Sequence, residues 1–560
     1  MAGRPLLSRF DSRVSRLAGP VAWTLALWTA LTTVVAVIAA SSDLPYADEW
    51  DTWRTWLKQG YSLAWFFAQH ADHRIATTRL LFAIDNWAFG GRVWFPQAVS
   101  FAVQASLVLL LWRLAKRSGV TDSEDGRVLG GAIACCLFSA QQLINFTWGF
   151  QVQFFLVYGS GAAALWALLR ATEAAHAAGR RAWIAASLLL AAVCSYSMAN
   201  GVLIWPILLL AAVRLRAGRA AVALLGVGSV LVFGQYFHGW HTSGLDAPAP
   251  PWRVVLFAMA NAGSPSAPLA GALGGSTSGV GFAAMVAGGL LLAFAAVQWV
   301  QVWARSARYS AARVVLSHFT VFVAAALFAI AAGRAHLPLV AAFRARYMTP
   351  AYILWACLLS VAWPGLSALN PRRVRWVALL ALLLGIAWYQ VSEIRGARED
   401  GVEANRASAS IAVGVNDPEL VPMLNYTFAD LAPVVRYLKE HRLSIFRQEW
   451  TEWPGQPLAP RFSVGREATA CHGGIRAMTP VSDPAGPGWR VSGWARYASG
   501  GAPDRIVLAD GSGHISGVAL ADSGEWDGYA RAGPPSVTAY AVEPDGKSLC
   551  RLGTWLPAAR

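Results

Sequence analysis

The chain has 560 residues, of which 56% are hydrophobic and only 14% are charged. This balance excludes an ordinary soluble protein and is typical of a membrane protein with many spans. The net charge of +15 would suit a nucleic-acid partner, but most of it lies in Arg-containing loops between apolar runs, so no nucleic-acid partner is predicted.

The first apolar run covers residues 21–40, which is the length of a membrane-spanning helix. Signal-peptide cleavage after Ala39 or Ala40 is an alternative, but further spans follow, and this favours a retained first helix. Ten more apolar runs raise the predicted number of crossings to about eleven: 93–112, 128–145, 152–169, 182–198, 201–213, 220–237, 280–303, 314–333, 347–363 and 376–392. The sequence therefore predicts a polytopic α-helical membrane domain in residues 1–394.

The loops between the runs carry their basic residues on alternate sides. With a cytoplasmic N-terminus, the inner loops contain Arg113, Lys116, Arg117 and Arg127; Arg170, Arg180 and Arg181; Arg214, Arg216 and Arg219; Arg305, Arg308 and Arg313; and Arg372, Arg373 and Arg375. The same count places on the outer face residues 41–92, 238–279, 334–346 and everything after about 393. The two runs that meet at residues 195–201 form either two crossings or a re-entrant hairpin, and the Arg cluster at 214–219 favours two crossings.

The first outer loop, residues 41–92, concentrates charged side chains close to the membrane. Its stretch LPYADEWDTWRTWL contains Asp48, Glu49 and Asp51 between Trp residues. The following stretch QHADHRIATTRLL contains His70, Asp72, His73, Arg74 and Arg79. A carboxylate can accept the proton of an attacking hydroxyl group, and Arg can stabilise the charge on a departing phosphate. The loop therefore predicts a reaction in which a hydroxyl group attacks a carbon atom and a phosphate leaves. The alternative is that these residues are only solvated surface charge.

Polar residues also gather at the outer ends of later helices. Arg334, Arg344 and Arg346 lie on either side of a short loop, where they either face an anionic ligand or anchor lipid head groups. A group of amides either binds sugar hydroxyls or satisfies the membrane interface: Gln141, Gln142, Asn145, Gln151 and Gln153. The first-loop Trp50, Trp53 and Trp56 either stack on a sugar ring or belong to an aromatic belt.

After about residue 395 the long apolar runs stop, which predicts a soluble region of two parts. Residues 395–455 are predicted as a helical linker with a helix over 428–443. Residues 456–560 predict a small antiparallel, jelly-roll-like β-sandwich with strands over 489–497, 504–510, 514–522 and 536–543. Cys471 and Cys550 bracket the sandwich, and an oxidising compartment would favour a disulfide between its first and last strands.

Several motifs, taken in their order and by their side of the membrane, carry a resemblance to a known superfamily. They are DEWD at 48–51, HADHRI followed by RLL at 70–81, FTWGFQVQFF at 146–155, SMANGVLIWP at 197–206 and RARYMTP at 344–350. Together with the stretches YLKEHRLSIF and GWARY, they resemble bacterial multi-spanning proteins related to the GT-C glycosyltransferases. The resemblance covers most of the chain.

The resemblance implies an enzyme of the bacterial inner membrane, with a cytoplasmic N-terminus and a periplasmic C-terminal domain. Such enzymes transfer a sugar from a polyprenyl-phosphate donor to a cell-envelope glycan or lipid acceptor and invert the anomeric centre. An amphipathic helix of the first loop lies on the membrane surface. A first-loop carboxylate acts as the base or as a ligand to a divalent cation such as Mg²⁺ or Mn²⁺.

The resemblance also assigns roles to residues of this chain. The catalytic positions are Asp48, Glu49 and Asp72, of which Asp48 and Glu49 are also the candidate metal ligands. The positions that bind the donor phosphate are His73, Arg74, Arg79, Arg344, Arg346 and Tyr347. The candidate positions that bind the acceptor or the sugar come from the Trp and amide groups described above, with the alternatives given there, and from the SMANG stretch: Trp50, Gln151, Gln153 and Asn200. The family-like element EHR reads DHR here, which leaves the role of Asp72 open.

Three alternatives remain at this point. His70 and His73 have H-x-x-H spacing around Asp72, but no further Cys or His completes a zinc site. A transporter or flippase of lipid-linked glycans would also need many helices, but it usually shows related halves or charges in mid-span, whereas the charges here lie in loops. The aromatic residues of the sandwich are either a platform for a glycan or core residues: Trp489, Trp494 and Trp526.

Overall fold

A computed structural model describes residues 4–241, 249–272, 276–369, 372–464, 471–533 and 536–556. Parts of the predicted second outer loop (242–248 and 273–275) and of the predicted sandwich (465–470, 534–535 and 557–560) lie outside the described residues, as do the side chains of Arg372 and Arg373. The chain divides into two compact units. Unit 1 comprises Met1–Ile38, Ser62–Leu81 and Phe95–Arg395, and unit 2 comprises Ala39–Tyr61, Phe82–Trp94 and Gly396–Arg560. Two pieces of the predicted first loop thus belong to unit 2.

The helices account for most of the chain. In chain order they are α1 (Arg4–Ala40), α2 (Asp48–Gln59), α3 (Leu63–Phe67), α4 (Ala76–Ile84), α5 (Trp94–Arg117), α6 (Ser123–Leu137), α7 (Leu143–Thr147), α8 (Val152–Glu173), α9 (Ala177–Ser195), α10 (Ile204–Arg214), α11 (Arg219–Phe237), α12 (Pro251–Gly263), α13 (Ala267–Ala272), α14 (Thr277–Ala304), α15 (Ala311–Arg334), α16 (Met348–Leu369), α17 (Arg372–Val413), α18 (Val421–Leu424) and α19 (Phe428–Glu440). Short 3₁₀ segments join several of them, among them Gly149–Gln151, Ala199–Leu203 and Ala345–Tyr347.

Ten helical segments in the described part of the chain are long and apolar enough to cross a membrane. They are Leu17–Ala40, Trp94–Arg117, Ser123–Thr147, Gly149–Glu173, Ala177–Ser195, Arg219–Phe237, Ser278–Ala304, Ala311–Arg334, Ala345–Leu366 and Val374–Val413. The remaining predicted run, 201–213, corresponds to a shorter apolar helix, Ala199–Arg214. The chain is therefore a multi-pass membrane protein by the length and composition of its helices.

Many basic residues of unit 1 gather at one end of its helix bundle, which we call the Arg-rich end. Arg117 at the end of α5 and Arg170 near the end of α8 both pair with Glu173. In α17, the guanidinium of Arg375 lies 3.5 Å from the carboxylate of Asp125 in α6. These contacts join loops that the alternation of basic residues predicted to lie on one side of the membrane.

The opposite end of unit 1 contains a short hairpin of strands β1 (Gln69–His70) and β2 (His73–Arg74), and we call it the hairpin end. The backbone N–H of Ala199 donates to Nδ1 of His73 at 3.3 Å. At the other end of α10, the guanidinium carbon of Arg214 lies 3.8 Å from the centre of the Trp303 ring, near the end of α14. The segment 199–214 therefore runs from the hairpin end to the Arg-rich end, and at about 1.5 Å per α-helical and about 2.0 Å per 3₁₀ residue it spans about 27 Å.

The second outer loop contains a helix, α12, that the sequence analysis did not predict. Its first residue is Pro251, which suits this position because the first helical N–H has no partner within the helix. A Cβ atom at Gly263 would lie 1.7 Å from the carbonyl oxygen of Ala284, and one at Gly288 would lie 1.9 Å from that of Met259. The backbones of α12 and α14 therefore touch, which only small residues allow between two packed helices.

Unit 2 joins the first-loop helix α2 to α19, which corresponds to the helix predicted over 428–443. Trp50 and Trp53 of α2 are buried, and the Trp56 ring packs 5.1 Å from that of Tyr437 in α19. This apolar contact fixes α2 by tertiary packing, since an isolated helix of its length is marginal in water. A helix is thus present in the first loop, and its position on the membrane surface stays a prediction.

The C-terminal part of unit 2 is an eight-stranded sheet. Its strands are β3 (Ser463–Val464), β4 (Cys471–Val481), β5 (Gly488–Tyr497), β6 (Arg505–Asp510), β7 (Ile515–Asp522), β8 (Glu525–Arg531), β9 (Val537–Val542) and β10 (Ser548–Trp555), in the spatial order β3-β10-β9-β6-β7-β8-β5-β4. Neighbouring strands are antiparallel except β3 and β10, which are parallel. The four strands whose residue ranges were predicted are observed as β5, β6, β7 and β9. The division of the sheet into the two layers of a sandwich stays a prediction.

The predicted Cys471–Cys550 pair is at disulfide-bonding distance, with the two Cα atoms 6.1 Å apart. Cys471 lies on the edge strand β4, and Cys550 lies on β10, six strands away in the sheet. In a flat sheet, six spacings of about 4.8 Å would separate these strands by about 29 Å. The sheet is therefore strongly curved, and its enclosed face carries the buried apolar residues Val491, Ala495, Ile506, Leu508, Trp526 and Ala539.

Candidate functional site

The hairpin at residues 69–74 lies where several helix ends of unit 1 meet. Its strands are antiparallel, with Gln69 opposite Arg74 and His70 opposite His73. Ala71 at the turn has φ 47°, a left-handed conformation that residues with a side chain adopt rarely. The hairpin contacts three other segments of unit 1, through four pairs: His70 with Phe150, His73 with Ala199, and Asp72 with Trp240 and Gln69 with His241 in the segment after α11. The predicted stretch HADHRI is thus a meeting point of helix ends.

Arg74 and Arg79, both predicted to bind the donor phosphate, are buried with 9% and 2% of their surface exposed. Their guanidinium groups donate to backbone carbonyl oxygens at 2.5 to 2.7 Å, those of Phe67, Tyr236 and His238 for Arg74 and those of Trp65 and Ala68 for Arg79. Hydrogen bonds from a charged donor to buried carbonyls stabilise the chain segments that carry them. The geometry favours a structural role for both residues and gives their phosphate-binding role no support.

Asp72 faces Arg334 at the end of α15. Its carboxylate oxygen Oδ2 lies 3.9 Å from Nη1 of Arg334, and both side chains are about one quarter exposed. Nε of Arg334 donates to the phenol oxygen of Tyr347 at 3.1 Å. The structure thus brings together the predicted positions Asp72 and Tyr347 through Arg334. This guanidinium remains partly accessible, and its planar fork of donors suits a phosphate.

Buried amides from two other helices hold the segment that carries Arg346 and Tyr347. Nδ2 of Asn145 donates to the carbonyl oxygen of Arg346 at 3.0 Å and to Oγ1 of Thr349 at 2.8 Å. Nδ2 of Asn261 in α12 donates to the carbonyl oxygen of Tyr347 at 3.1 Å. The guanidinium of Arg346 lies over the Tyr347 ring, 4.9 Å from its centre, whereas Arg344, in the same segment, is exposed.

Several buried amide oxygens around the hairpin end accept no hydrogen bond from any described residue. They belong to Gln141, Asn145, Gln151, Gln153 and Asn200, each of which is at most 5% exposed. Such oxygens are uncommon in protein interiors because an unmet hydrogen bond is unfavourable there. They require donors, and the hydroxyl groups of a sugar are donors. The predicted sugar-binding positions Gln151, Gln153 and Asn200 therefore have a chemically suitable geometry.

The acidic stretch of the first loop lies in unit 2, in the first turn of α2. Glu49 is buried, and its Oε2 accepts the backbone N–H of Tyr46 at 2.9 Å, a contact that stabilises the beginning of the helix. Asp48 is half-buried at the helix N-terminus, where a negative charge is favourable. Of the two predicted catalytic positions in this helix, Asp48 is therefore the more accessible. The charge of the same stretch also acts on Tyr426, where burial, followed by the negative charge of Asp51, raises the pKa of the phenol.

The tryptophans considered as sugar platforms differ in exposure. Trp50 is fully buried in the core of unit 2, so its ring has no face available for a sugar. Trp526 is 2% exposed on the enclosed face of the sheet, and Trp489 is half-buried. Trp494 on β5 is 41% exposed and keeps a ring surface open to solvent. The geometry therefore supports a platform role for Trp494 and gives Trp50 none.

A divalent cation was predicted near Asp48 and Glu49. In the described part of the chain there is no group of three or more His, Cys, Asp or Glu side chains that could hold a metal ion. The protein residues alone therefore do not fit a dedicated metal site. Mg²⁺ often binds through one or two carboxylates and substrate phosphates, so the metal dependence stays a prediction.

Two positioning residues were missed in the sequence analysis, Asn261 and Thr349. Both are polar residues within or beside apolar helical stretches, and such residues usually face the protein interior. Arg334 was considered there only as an anion ligand or a lipid anchor, and its pairing with Asp72 joins segments more than 250 residues apart in the chain. Polar residues at helix ends were thus the available signal, but their partners were not readable.

Comparison of the chain with models of protein families gives no match, and comparison with curated proteins gives none either.

Proposed function

We propose that the chain is an integral membrane glycosyltransferase related to the GT-C superfamily. It transfers a sugar from a polyprenyl-phosphate donor to a cell-envelope glycan or lipid on the periplasmic face and inverts the anomeric centre. In this proposal the chain crosses the bacterial inner membrane eleven times, ten times through the long apolar helices and once through Ala199–Arg214. The hairpin end and unit 2 face the periplasm, where a Cys471–Cys550 disulfide would be stable.

The observation that carries the proposal is the group Asp72, Arg334 and Tyr347. A carboxylate, a guanidinium and a phenol converge at the end of the bundle opposite the Arg-rich end. This arrangement offers a proton acceptor beside an anion-binding group, which is the pair of functions that a transfer from a phosphate requires. The acidic and basic groups lie at helix ends and in loops, which favours an enzyme over a flippase.

The reaction proceeds by attack of an acceptor hydroxyl oxygen on the anomeric carbon of the donor sugar. Asp72, which lies in the same unit as Arg334, accepts the hydroxyl proton as the new carbon–oxygen bond forms. The bond between the anomeric carbon and the phosphate oxygen breaks, and polyprenyl phosphate leaves with the electron pair. Arg334, supported by Tyr347, stabilises the negative charge on the leaving phosphate.

The buried amides around the hairpin end serve the sugar in this proposal. The oxygens of Gln151, Gln153 and Asn200 accept hydrogen bonds from sugar hydroxyls, which satisfies groups that would otherwise be costly to bury. A site built to hydrogen-bond hydroxyls rejects analogues that lack them. Deoxy sugars are therefore expected to be poor substrates.

The test is transfer of radiolabelled sugar from a panel of polyprenyl-phosphate sugars by the purified full chain in detergent. Asp72→Asn removes the proposed catalytic carboxylate and is expected to lower kcat by roughly 10² to 10⁴ and to leave donor binding in place. Asp48→Asn tests the other first-loop carboxylate in the same assay. Arg334→Gln is expected to lower kcat/KM by roughly 10² to 10³ because it removes charge stabilisation at the phosphate. Donor binding is measured separately by retention of the labelled donor.

The matched control is Glu173→Gln, which breaks a carboxylate–Arg interaction of the same unit at the Arg-rich end. It is expected to transfer sugar at the wild-type rate. If the wild type transfers sugar and all three site variants match the control, the assigned site is wrong. If the wild type neither transfers nor hydrolyses any donor, the transferase proposal fails and lipid-linked glycan transport becomes the better explanation.

A further inference from the structure

The Arg-rich end of unit 1 contains a cluster of aromatic and basic residues from α10, α14 and α15. The guanidinium of Arg214 stacks on the Trp303 ring at 3.8 Å, and the Trp299 ring lies 5.6 Å from that of Trp303. The imidazole of the fully buried His318 packs against both indole rings, with ring centres 6.3 Å from Trp299 and 6.1 Å from Trp303. We call these residues, with Arg313, the Arg214–Trp303 cluster.

Arg313 supplies a second, more deeply buried cation to this cluster. It is 8% exposed, and its Nη2 donates to the side-chain oxygen of Gln298 at 3.1 Å. Its guanidinium also lies 5.9 Å from the centre of the Tyr309 ring. The partners seen in the described part of the chain are thus neutral, although a buried charge normally requires an opposite charge.

Further polar atoms of the cluster are buried without a hydrogen-bond partner among the described residues. They are Nε of Arg214, Nε of Arg313, Nε1 of Trp299 and Nε2 of His318. Three of these four atoms are donors in every protonation state of their side chains. The cluster therefore has more donors than acceptors, which is the composition of a site for an anion.

The surrounding sequence offers no acidic partner. Between Glu173 and Glu393 the only acidic residue is Asp246, whereas the same stretch contains fifteen Arg residues. Six of these fall in the loops and helix ends next to the cluster: Arg214, Arg216, Arg219, Arg305, Arg308 and Arg313. Some basic residues elsewhere at the Arg-rich end have carboxylate partners, such as Glu173 for Arg117 and Asp125 for Arg375. The ends of α10, α14 and α15 thus carry a positive charge that the neighbouring sequence does not balance.

We propose that the Arg214–Trp303 cluster binds the phosphate group of an anionic membrane lipid. The planar guanidinium groups of Arg214 and Arg313 suit a phosphate, which accepts two parallel hydrogen bonds from one Arg. The indole rings at the membrane interface pack against the glycerol and the upper acyl chains. A lipid head group at the end of membrane helices supplies the negative charge that the chain itself lacks here. This site does not depend on the proposed function.

The test titrates phosphatidylglycerol into the purified full chain in detergent and counts bound lipids by native mass spectrometry. The double variant Arg214→Gln/Arg313→Gln is expected to bind phosphatidylglycerol about 30-fold more weakly, since each Arg near an anionic surface contributes about a fivefold change in affinity. The matched control Arg180→Gln/Arg181→Gln removes the same charge from exposed positions at the Arg-rich end and is expected to change the affinity by less than about threefold. Equal weakening in both variants would overturn the site.

Two further arms identify the ligand and guard against misfolding. Phosphatidylcholine, which has a phosphate but no net charge, is expected to show no saturable binding, and inorganic phosphate at equal concentration should not displace phosphatidylglycerol. Displacement by inorganic phosphate would identify free phosphate as the ligand and overturn the lipid proposal. If the Gln variant does not fold, Arg214→Lys/Arg313→Lys keeps the charge without the planar fork, and it is expected to bind several-fold more weakly than the wild type. Wild-type affinity in that variant would contradict a guanidinium–phosphate contact.

Discussion

Removal of the Cys471–Cys550 disulfide should lower the stability of the curved sheet by a predictable amount. The two cysteines are 79 residues apart in sequence. In the chain-entropy model, closing a loop of this length stabilises the folded state by about 4.5 kcal/mol at 25 °C, because the crosslink restricts the unfolded chain. The double variant Cys471→Ser/Cys550→Ser is therefore expected to lose most of this free energy of unfolding.

The full chain in detergent can report this loss through urea-dependent proteolysis of its C-terminal part. With a urea dependence of about 1.5 to 2 kcal/mol per M, a loss of about 4.5 kcal/mol lowers the urea midpoint by about 2 to 3 M. Wild-type protein treated with a reductant should unfold at the midpoint of the variant. The control Cys135→Ser/Cys357→Ser changes two free cysteines of unit 1 and should keep the wild-type midpoint.

A shift smaller than about 0.5 M in the disulfide variant would refute the reasoning, because it would mean that the crosslink does not restrict the unfolded chain as assumed. A large shift in the free-cysteine control would show that the assay reports on unit 1 instead of the sheet.

Three other predictions follow from buried polar groups. Arg74→Gln should destabilise unit 1 by about 2 to 4 kcal/mol, because three carbonyl oxygens lose a charged donor. Arg74→Lys should not restore the thermal midpoint, since Lys lacks the planar fork of donors. An unchanged thermal midpoint in Arg74→Gln would contradict the structural role. Glu49→Ala should destabilise unit 2 by about 1 kcal/mol through loss of the contact to Tyr46, measured by the urea assay, and an effect below about 0.3 kcal/mol would argue against the cap. Burial, followed by the hydrogen bond to Asp417, raises the pKa of Tyr529 above its ordinary value of 10. The stabilisation of unit 2 by the protonated phenol is therefore complete below pH 10 and is lost as the pH rises further. Tyr529→Phe should flatten the fall in stability of unit 2 above pH 10, and an equally steep fall in that variant would contradict the assignment.

The sequence was sufficient for features that depend on local pattern. Apolar runs of about 20 residues predicted the long helices, and short stretches of alternating polarity between Gly, Pro and Asp turns predicted β5, β6, β7 and β9 nearly to the residue. The pairing of Cys471 with Cys550 followed from their position around the strands. The run at 201–213 was harder to interpret. It begins with a 3₁₀ segment, so its α-helical part is shorter than a usual membrane-spanning helix.

Features that depend on partners distant in sequence were not readable. The HADHRI stretch pointed to charged residues, but only the fold distinguishes Arg74, which binds carbonyl oxygens of its own unit, from Arg334, which faces Asp72. In the DEWD motif, Glu49 and Asp48 look equivalent in sequence, yet only Glu49 caps the preceding turn. The helix α12 was missed because it begins within a loop rich in Pro and Gly, and its packing on α14 requires no long apolar run.

The contact between α12 and α14 limits how this protein can diverge during evolution. Gly263 and Gly288 leave no room for even one methyl group, so most single-nucleotide changes at these two codons would push the helices apart. Such a displacement would move Asn261, which holds the backbone of Tyr347, and would thereby alter the surroundings of Arg334 without changing any residue near it. Related chains are therefore expected to keep small residues at both positions even where their loops and surface residues differ widely.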